Sequence, residues 1–424
     1  MVRDLLYRRP MHVTKRLRFL SVILLTSACG LGVVGCDDGK KSDDSEEESE
    51  KKDKKSKKDD DDEGPVKAAK VKISEVKGMV KKGVPISAKQ YEKLILAHGN
   101  CEVTDNGIDS KCEAVKVLRE SMNRSQLAKG ALGGNAGLGQ KLIGHESPAV
   151  RIKAAQIMSS LFGTGKKSQD LIVKAASEEK HPAVLKAMVR TVRNHGKRNP
   201  EVGKLLLELA DHDNPMLRKE AIYGLSSSWN EDLGVDKLVE MMKSDEDPEV
   251  RQAACAYAGG LGDDKLYPVY ESILEGDGDE KLKAKCFEGL VSMWADYPLY
   301  GTSNDKAYRL TLKLLQKTPR TEAMPPWQAM NTLGYLGGDQ NKKLGEWKSK
   351  ATWYEVDDLR KALLAVVGDS DAHWMARTGA TKALVKLGAA KSDFEKLRKA
   401  IGDDPKGTDT HVAKQLAKAI AGEK

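Results

Sequence analysis

The chain has 424 residues, of which 5% are aromatic, 32% charged and only 14 proline, with Leu, Ala, Lys and Glu abundant. That balance favours helix over sheet and excludes an all-β protein. The formal charge of +8 is a total over segments of opposite sign, so by itself it implies no polyanionic partner.

In residues 15–36, Lys15, Arg16 and Arg18 precede an apolar run containing Phe19, Val22, Ile23, Leu24 and Leu25. This is the pattern of a secretory signal, and the run falls short of the ~20 residues a spanning helix needs. Val33-Val34-Gly35-Cys36 resembles the bacterial lipobox, whose Cys is acylated and becomes the mature N-terminus. The resemblance implies a signal peptide over 1–35, lipid attachment at Cys36 and a place in the bacterial cell envelope. Cys29 follows Thr26-Ser27-Ala28 and lacks the branched apolar residue three positions upstream. Met11 offers an alternative start with a more usual basic n-region. Several acyl chains on Cys36 would give a stable anchor without a transmembrane helix. Asp37 does not decide which membrane is involved.

Residues 37–64 contain no apolar side chain and set eight lysines against fourteen carboxylates. Such a segment cannot offset its ordering entropy, so 36–64 is expected to be the lipidated Cys and a disordered tether. The remainder carries about +9 with both signs interspersed, which reads as a solvated surface rather than a nucleic-acid footprint. Residues 65–134 show capping boxes at Ser87-x-x-Gln90 and Ser110-x-x-Glu113, and are expected to form an N-terminal helical cap.

From 135 onward the chain repeats itself. Segments 145–163, 180–196, 213–229 and 247–263 superimpose without gaps, their prolines Pro148, Pro182, Pro215 and Pro248 spaced by 34, 33 and 33 residues. A fifth copy puts Glu280 in the proline's place, and degenerate copies follow at 325–339, 374–388 and 411–422. Ser147, His181, Asn214 and Asp247 stand before the prolines as N-caps, with Pro at N1 where no N–H is needed. A second amphipathic helix precedes each proline at 171–176, 202–210, 235–242 and 267–274. Short helix pairs cannot hide their own apolar faces, so they must stack. The unit D-x-P-x-V-R-x-x-A resembles the HEAT repeat, particularly its short PBS-lyase-type form. The resemblance implies an all-α fold, an α-solenoid or superhelix of HEAT-like helix pairs over 135–424, and says little about activity.

Cys101 and Cys112 bracket a polar loop and read as a short disulfide in an exported protein. A cation site from Asp105, Asn106, Asp109 and Glu113 fails the EF-hand spacing. Cys255 and Cys286, on adjacent repeats, read first as buried core thiols, with a bridge between them as the alternative. His145, His181 and His212 read as turn residues, since repeats ~10 Å apart cannot share one metal. Residues 162–168 depart from the phosphate-loop pattern at Ser160 and Lys167, and the glycines of 130–139 follow no strand; both read as connections. Arg151, Arg218, Arg251, Lys283 and Arg377 share a register three residues after the proline position, either as an inter-repeat ladder with acids or as a ridge facing a ligand.

All six tryptophans lie between 229 and 374, where two insertions break the period. Trp229 and Trp294 share a register and read as core. Tyr297, Tyr300, Trp327 and Trp347, with Arg251, are the candidate partner-binding edge, because aromatics and Arg are enriched in binding hot spots. The leading expectation is a monomeric, lipid-anchored envelope scaffold that binds another protein, with no enzymatic activity, cofactor, metal or nucleic acid. The alternative is a periplasmic module that binds glycan, peptide or a small ligand through the aromatic insertions.

Overall fold

The computed structural model describes residues 71–77, 87–121, 135–159, 165–227, 233–295, 304–337, 342–402 and 405–423. Cys36, the signal and the tether lie outside the described residues, as do Trp229, Tyr297, Tyr300, 130–134 and 160–164. The described part is an all-α solenoid with one small hairpin, and it starts with α1 (Ile73–Lys77) and α2 (Ala88–Leu96). The Ser87 capping box forms, with Ser87 Oγ accepting from Gln90 N and Gln90 Oε1 from Ser87 N. The second expected box does not. Val103–Thr104 (β1) and Gly107–Ile108 (β2) pair as an antiparallel hairpin, and α3 (Glu113–Ser121) begins only at the residue expected to close the box. Cys101 and Cys112 are bonded across the base of this hairpin, their Cα atoms 5.6 Å apart.

The helix pairs then follow. One layer consists of α5 (Pro148–Ser159), α7 (Pro182–Val192), α9 (Pro215–Leu225), α11 (Pro248–Ala258), α13 (Glu280–Ala295), α15 (Trp327–Gly334), α18 (Trp374–Lys386) and α20 (Asp409–Ala421). We call it the proline-led layer. The facing layer consists of α4 (Asn135–Leu142), α6 (Lys166–Glu178), α8 (Pro200–Ala210), α10 (Val235–Ser244), α12 (Tyr267–Glu275), α14 (Asp305–Gln316), α17 (Val356–Gly368) and α19 (Lys391–Ile401). Between α15 and α17 the second insertion adds α16 (Lys342–Lys350). Neighbouring helices touch more extensively in the proline-led layer than in the facing one.

Small residues explain that closeness. A Cβ on Gly289 of α13 would fall 2.0 Å from the Cys255 carbonyl oxygen of α11, and one on Gly259 would fall 1.8 Å from the Gly289 oxygen. With both positions bare, the Cα atoms of Cys255 and Cys286 come within 4.5 Å, and the two cysteines are bonded. The expectation of buried free thiols is therefore corrected. Their repeat registers differ by one residue, and the glycine crossing brings the backbones within disulfide reach. Buried Tyr270 completes the crossing by donating its hydroxyl to the Cys255 carbonyl at 2.7 Å.

One turn design recurs where the chain passes between layers. The residue three before the proline accepts from the N–H two positions on: His145 from Ser147, Glu179 from His181, His212 from Asn214, Asp245 from Asp247. The N-cap repeats the device, His181 Nδ1 accepting from Ala183, Asn214 from Met216 and Asp247 from Glu249. All three histidines thus serve as backbone acceptors in turns. Where the first acceptor is an acid, it also takes an arginine from the preceding repeat. Arg151 reaches Glu179 at 2.7 and 3.0 Å, and Arg218 reaches Asp245 twice at 2.9 Å. His212 stands where the preceding repeat offers Leu185 in place of Arg. Each arginine spends its remaining donors on the carbonyls that end the preceding turn, His145 and Glu146 for Arg151, His212 and Asp213 for Arg218. Arg377 pairs with Asp409, and Arg320, from a loop, pairs with Asp369.

Candidate functional site

The expected partner-binding residues separate. Trp347 is 3% exposed and sits in a closed cluster with Trp294, Trp353, Tyr308 and Tyr354. Trp294 Nε1 donates to Thr311 Oγ1 at 3.0 Å, and Tyr308 Oη to the Glu355 carbonyl at 2.8 Å. The assignment of Trp347 to a binding edge is thus corrected: the second insertion folds into a helix and turn whose aromatic face fills the solenoid core. Arg251 is corrected as well. Its Nη1 donates to the carbonyls of Asp245 and Glu246, so it caps a turn as Arg151 and Arg218 do instead of facing a partner. Trp327 alone of the described candidates lies open, at 37% exposure.

The open surface is on the proline-led layer. Counted from the proline, positions one, four or five, and eight residues on fall on one side of each helix by the 3.6-residue period. These positions include the half-buried or exposed Met216, Lys186, Lys219, Lys153, Lys285, Gln156, Arg190, Tyr223 and Glu288, beside buried Ala149, Ile152, Ala183 and Glu220. Tyr223 meets Tyr257 of the next repeat edge to face, ring centroids 4.8 Å apart, and Arg193 lies 5.2 Å over the Tyr223 ring. Burial and the neighbouring Tyr223 both push the Tyr257 phenol up from its ordinary pKa.

The same face continues at the far end. Trp327 lies across Gly379 of α18, where a Cβ would stand 3.1 Å from its ring. Met375 is one turn before Gly379, and the Lys386 ammonium sits 4.6 Å from the centroid of the Tyr335 ring. Among the described residues the large apolar side chains left exposed are Tyr257, Trp327, Tyr335 and Met375, and all four belong to the proline-led layer or its one-turn extensions. Sequence reasoning missed three of them. Tyr257 stands nine residues after Pro248 and Met375 second in its helix, so no single register marks them.

In a second cleft the charges are spent on each other. The cleft of about 170 Å³ between α9 and α10 is lined by Arg218, Lys237, Asp211, Glu240 and Asp245, which pair within it. No group of three or more His, Cys, Asp and Glu among the described residues could hold a metal, and no described helix is long and apolar enough to cross a membrane.

These features define a class: an α-solenoid with a structural arginine ladder inside and an aromatic and basic stripe on one layer. The family of HEAT repeats matches residues 135–226 and 203–291, so this stretch carries HEAT repeats. No curated protein matches the chain. Among solved structures it is similar to the karyopherin Kap121p, at 12% identity and TM-score 0.41, covering 83% of this chain and 41% of that one. Similar too are Kap121p bound to Pho4p, at 12%, 0.40, 83% and 42%, and Kap95p with RanGDP, at 11%, 0.39, 83% and 45%. The chain spans less than half the length of these structures, and the likeness concerns the fold alone.

Proposed function

We propose that the protein is a lipid-anchored scaffold of the bacterial cell envelope that binds another protein along the outward face of its proline-led layer, without catalysis. One observation carries the binding surface: the exposed large apolar side chains of the described residues are confined to that layer. Aromatic residues rimmed by Arg and Lys are the side chains that dominate binding energy when a partner excludes water from them. The anchor rests on the signal-like segment and on Cys36 with its lipobox-like surroundings. A 28-residue tether of the composition of 37–64 would let the solenoid work on the order of 30 Å from the membrane, with self-repulsion extending it.

The test has two arms. Metabolic labelling with a fatty acid should mark the native chain and leave Cys36→Ala unlabelled and released from membranes; equal labelling of both would remove the anchor from the account. For the surface, chemically crosslinked cells expressing the native chain should yield a specific envelope protein that is lost when Tyr257, Trp327 and Tyr335 are changed to Ala. Recovery of the same protein with the triple variant would show that this face is not the contact.

A further inference from the structure

The hairpin lies over the stripe at its N-terminal end. β2 packs against α5, and the tip residues Asn106 and Gly107 roof a cleft of about 160 Å³ floored by Gln156, Lys186, Arg190 and Thr191. The roof is fixed from below. Val103 pairs with Ile108 and Thr104 with Gly107, Asp109 N donates to the Glu102 carbonyl at 3.0 Å, and the Cys101–Cys112 bond closes the base. Gly107 has φ +112, a conformation that L side chains rarely adopt, so the tight turn itself calls for glycine.

Lys186 lines this cleft, and Lys153, outside its lining, bonds the lining residue Gln156; neither ammonium has a carboxylate. Lys153 of α5 reaches only the Gln156 amide oxygen at 3.1 Å, and Lys186 of α7 only the Met216 sulfur at 3.1 Å, a weak acceptor. Neither forms an ion pair among the described residues. Burial pushes both amines down from the ordinary lysine pKa, Arg190 adding to the effect on Lys186 and Arg119 to that on Lys153. The acids nearby do not cancel them. Glu220 is 2% exposed and is held by Arg190 and Arg193, Lys219 is occupied by Glu249 at 2.6 Å, and Asp105 at the hairpin tip attracts Lys186 without forming an ion pair with it. Elsewhere in the fold the buried arginines have carboxylates, whereas Lys186, which lines this preformed cleft, has none.

We propose that this cleft receives a carboxylate side chain from an acidic, extended segment of the partner protein, fixing the register in which the segment lies along the stripe. The inference rests on the scaffold reading and names the chemistry of the partner. The cleft is smaller than the roughly 300–1,000 Å³ of small-molecule sites, and its size and polarity suit one acidic side chain. From α7 to α11 is two helix spacings, about 20 Å, which an extended chain covers in about six residues. An apolar residue that far along the segment would meet Tyr223 and Tyr257.

The probe is a fluorescein-labelled peptide of about twelve residues alternating Glu and Ser, titrated by anisotropy against the detergent-solubilised full chain at physiological salt, with a Gln/Ser peptide as reference. The Glu peptide is expected to bind at least about tenfold more tightly than the Gln peptide. Lys186→Glu should remove that preference, Lys186→Gln should reduce it, and Lys243→Glu on the facing layer should leave it unchanged, all with native circular dichroism. Equal binding of the two peptides would overturn the proposal. So would equal losses in Lys186→Glu and Lys243→Glu, which would show diffuse attraction. Full displacement of the peptide by millimolar inorganic phosphate would make the cleft a free-anion site and overturn the peptide assignment. Failure of these titrations with partner capture still dependent on Tyr257, Trp327 and Tyr335 would sink this inference alone and leave the scaffold standing.

Discussion

Replacing Arg218 by Met tests whether the arginine register holds repeats together or faces a ligand. Arg218 and Asp245 have side chains 7% and 6% exposed, joined by two parallel bonds of 2.9 Å, and Arg218 also donates to the carbonyls of His212 and Asp213. Met keeps the stem packed but strands the Asp245 carboxylate away from water and leaves those two carbonyls without their donor. Breaking a buried pair by removing one partner costs about 3–5 kcal/mol, whereas an exposed pair is worth about 0–1 kcal/mol. Asp245→Asn retains the acceptor for the Asp247 N–H, so the double variant should cost less than the two single changes together. Urea unfolding followed by circular dichroism measures all four corners of the cycle. A loss below about 1 kcal/mol for Arg218→Met, or additive losses in the double variant, would refute the ladder as a stabilising device. Loss of partner binding with unchanged stability would assign it to ligand contact instead.

Three further outcomes follow from the packing. His98 is fully buried, donates Nδ1 to the Leu94 carbonyl at 2.8 Å, and is pushed down to about 4, first by burial and then by Lys153. The unfolded chain takes up this proton near pH 6.5 and the folded chain only near 4, so stability should fall on acidification through that window, by up to about 3 kcal/mol. His98→Gln should flatten the fall, and an unchanged slope in urea titrations across the window would contradict it. Gly289→Ala places a methyl on the Cys255 carbonyl and the Tyr270 hydroxyl, and should cost about 1–3 kcal/mol or more; a neutral melting temperature would show that the α11–α13 crossing is looser than described. Trp347→Ala should cost about 3–5 kcal/mol while the folded fraction still captures the partner, because the ring is core; reduced capture at full stability would restore it to the binding surface.

The architecture was legible because each repeat states its start in local chemistry. Pro at N1 after Asn or Asp, then apolar residues at helical spacing, marks the same helix whatever it packs against, and α7, α9 and α11 begin at Pro182, Pro215 and Pro248. The shared register of the arginines was legible, but whether it made a ladder or faced a ligand was not, because the acids that pair with Arg151, Arg218 and Arg377 lie at differing offsets and Arg251 meets only carbonyls. What depended on distant contacts was not. The Cys255–Cys286 bond depends on how closely two glycine-bearing backbones approach, which no local pattern states. The insertion carrying Trp347, Trp353 and Tyr354 breaks the repeat, and an aromatic run outside the period carries no mark of whether it covers the core or leaves it. The hairpin was hidden by brevity, because two-residue strands show no alternation to read.

Photocrosslinking from single positions tests the central claim most directly. A photoreactive amino acid placed at Tyr257 or Trp327 on the proline-led layer, and separately at Lys174 or Glu208 on the exposed side of the facing layer, is irradiated in intact cells. The account predicts one discrete crosslinked partner from the first pair and none from the second. Crosslinks to that partner from the facing layer, with none from Tyr257 and Trp327, would contradict it.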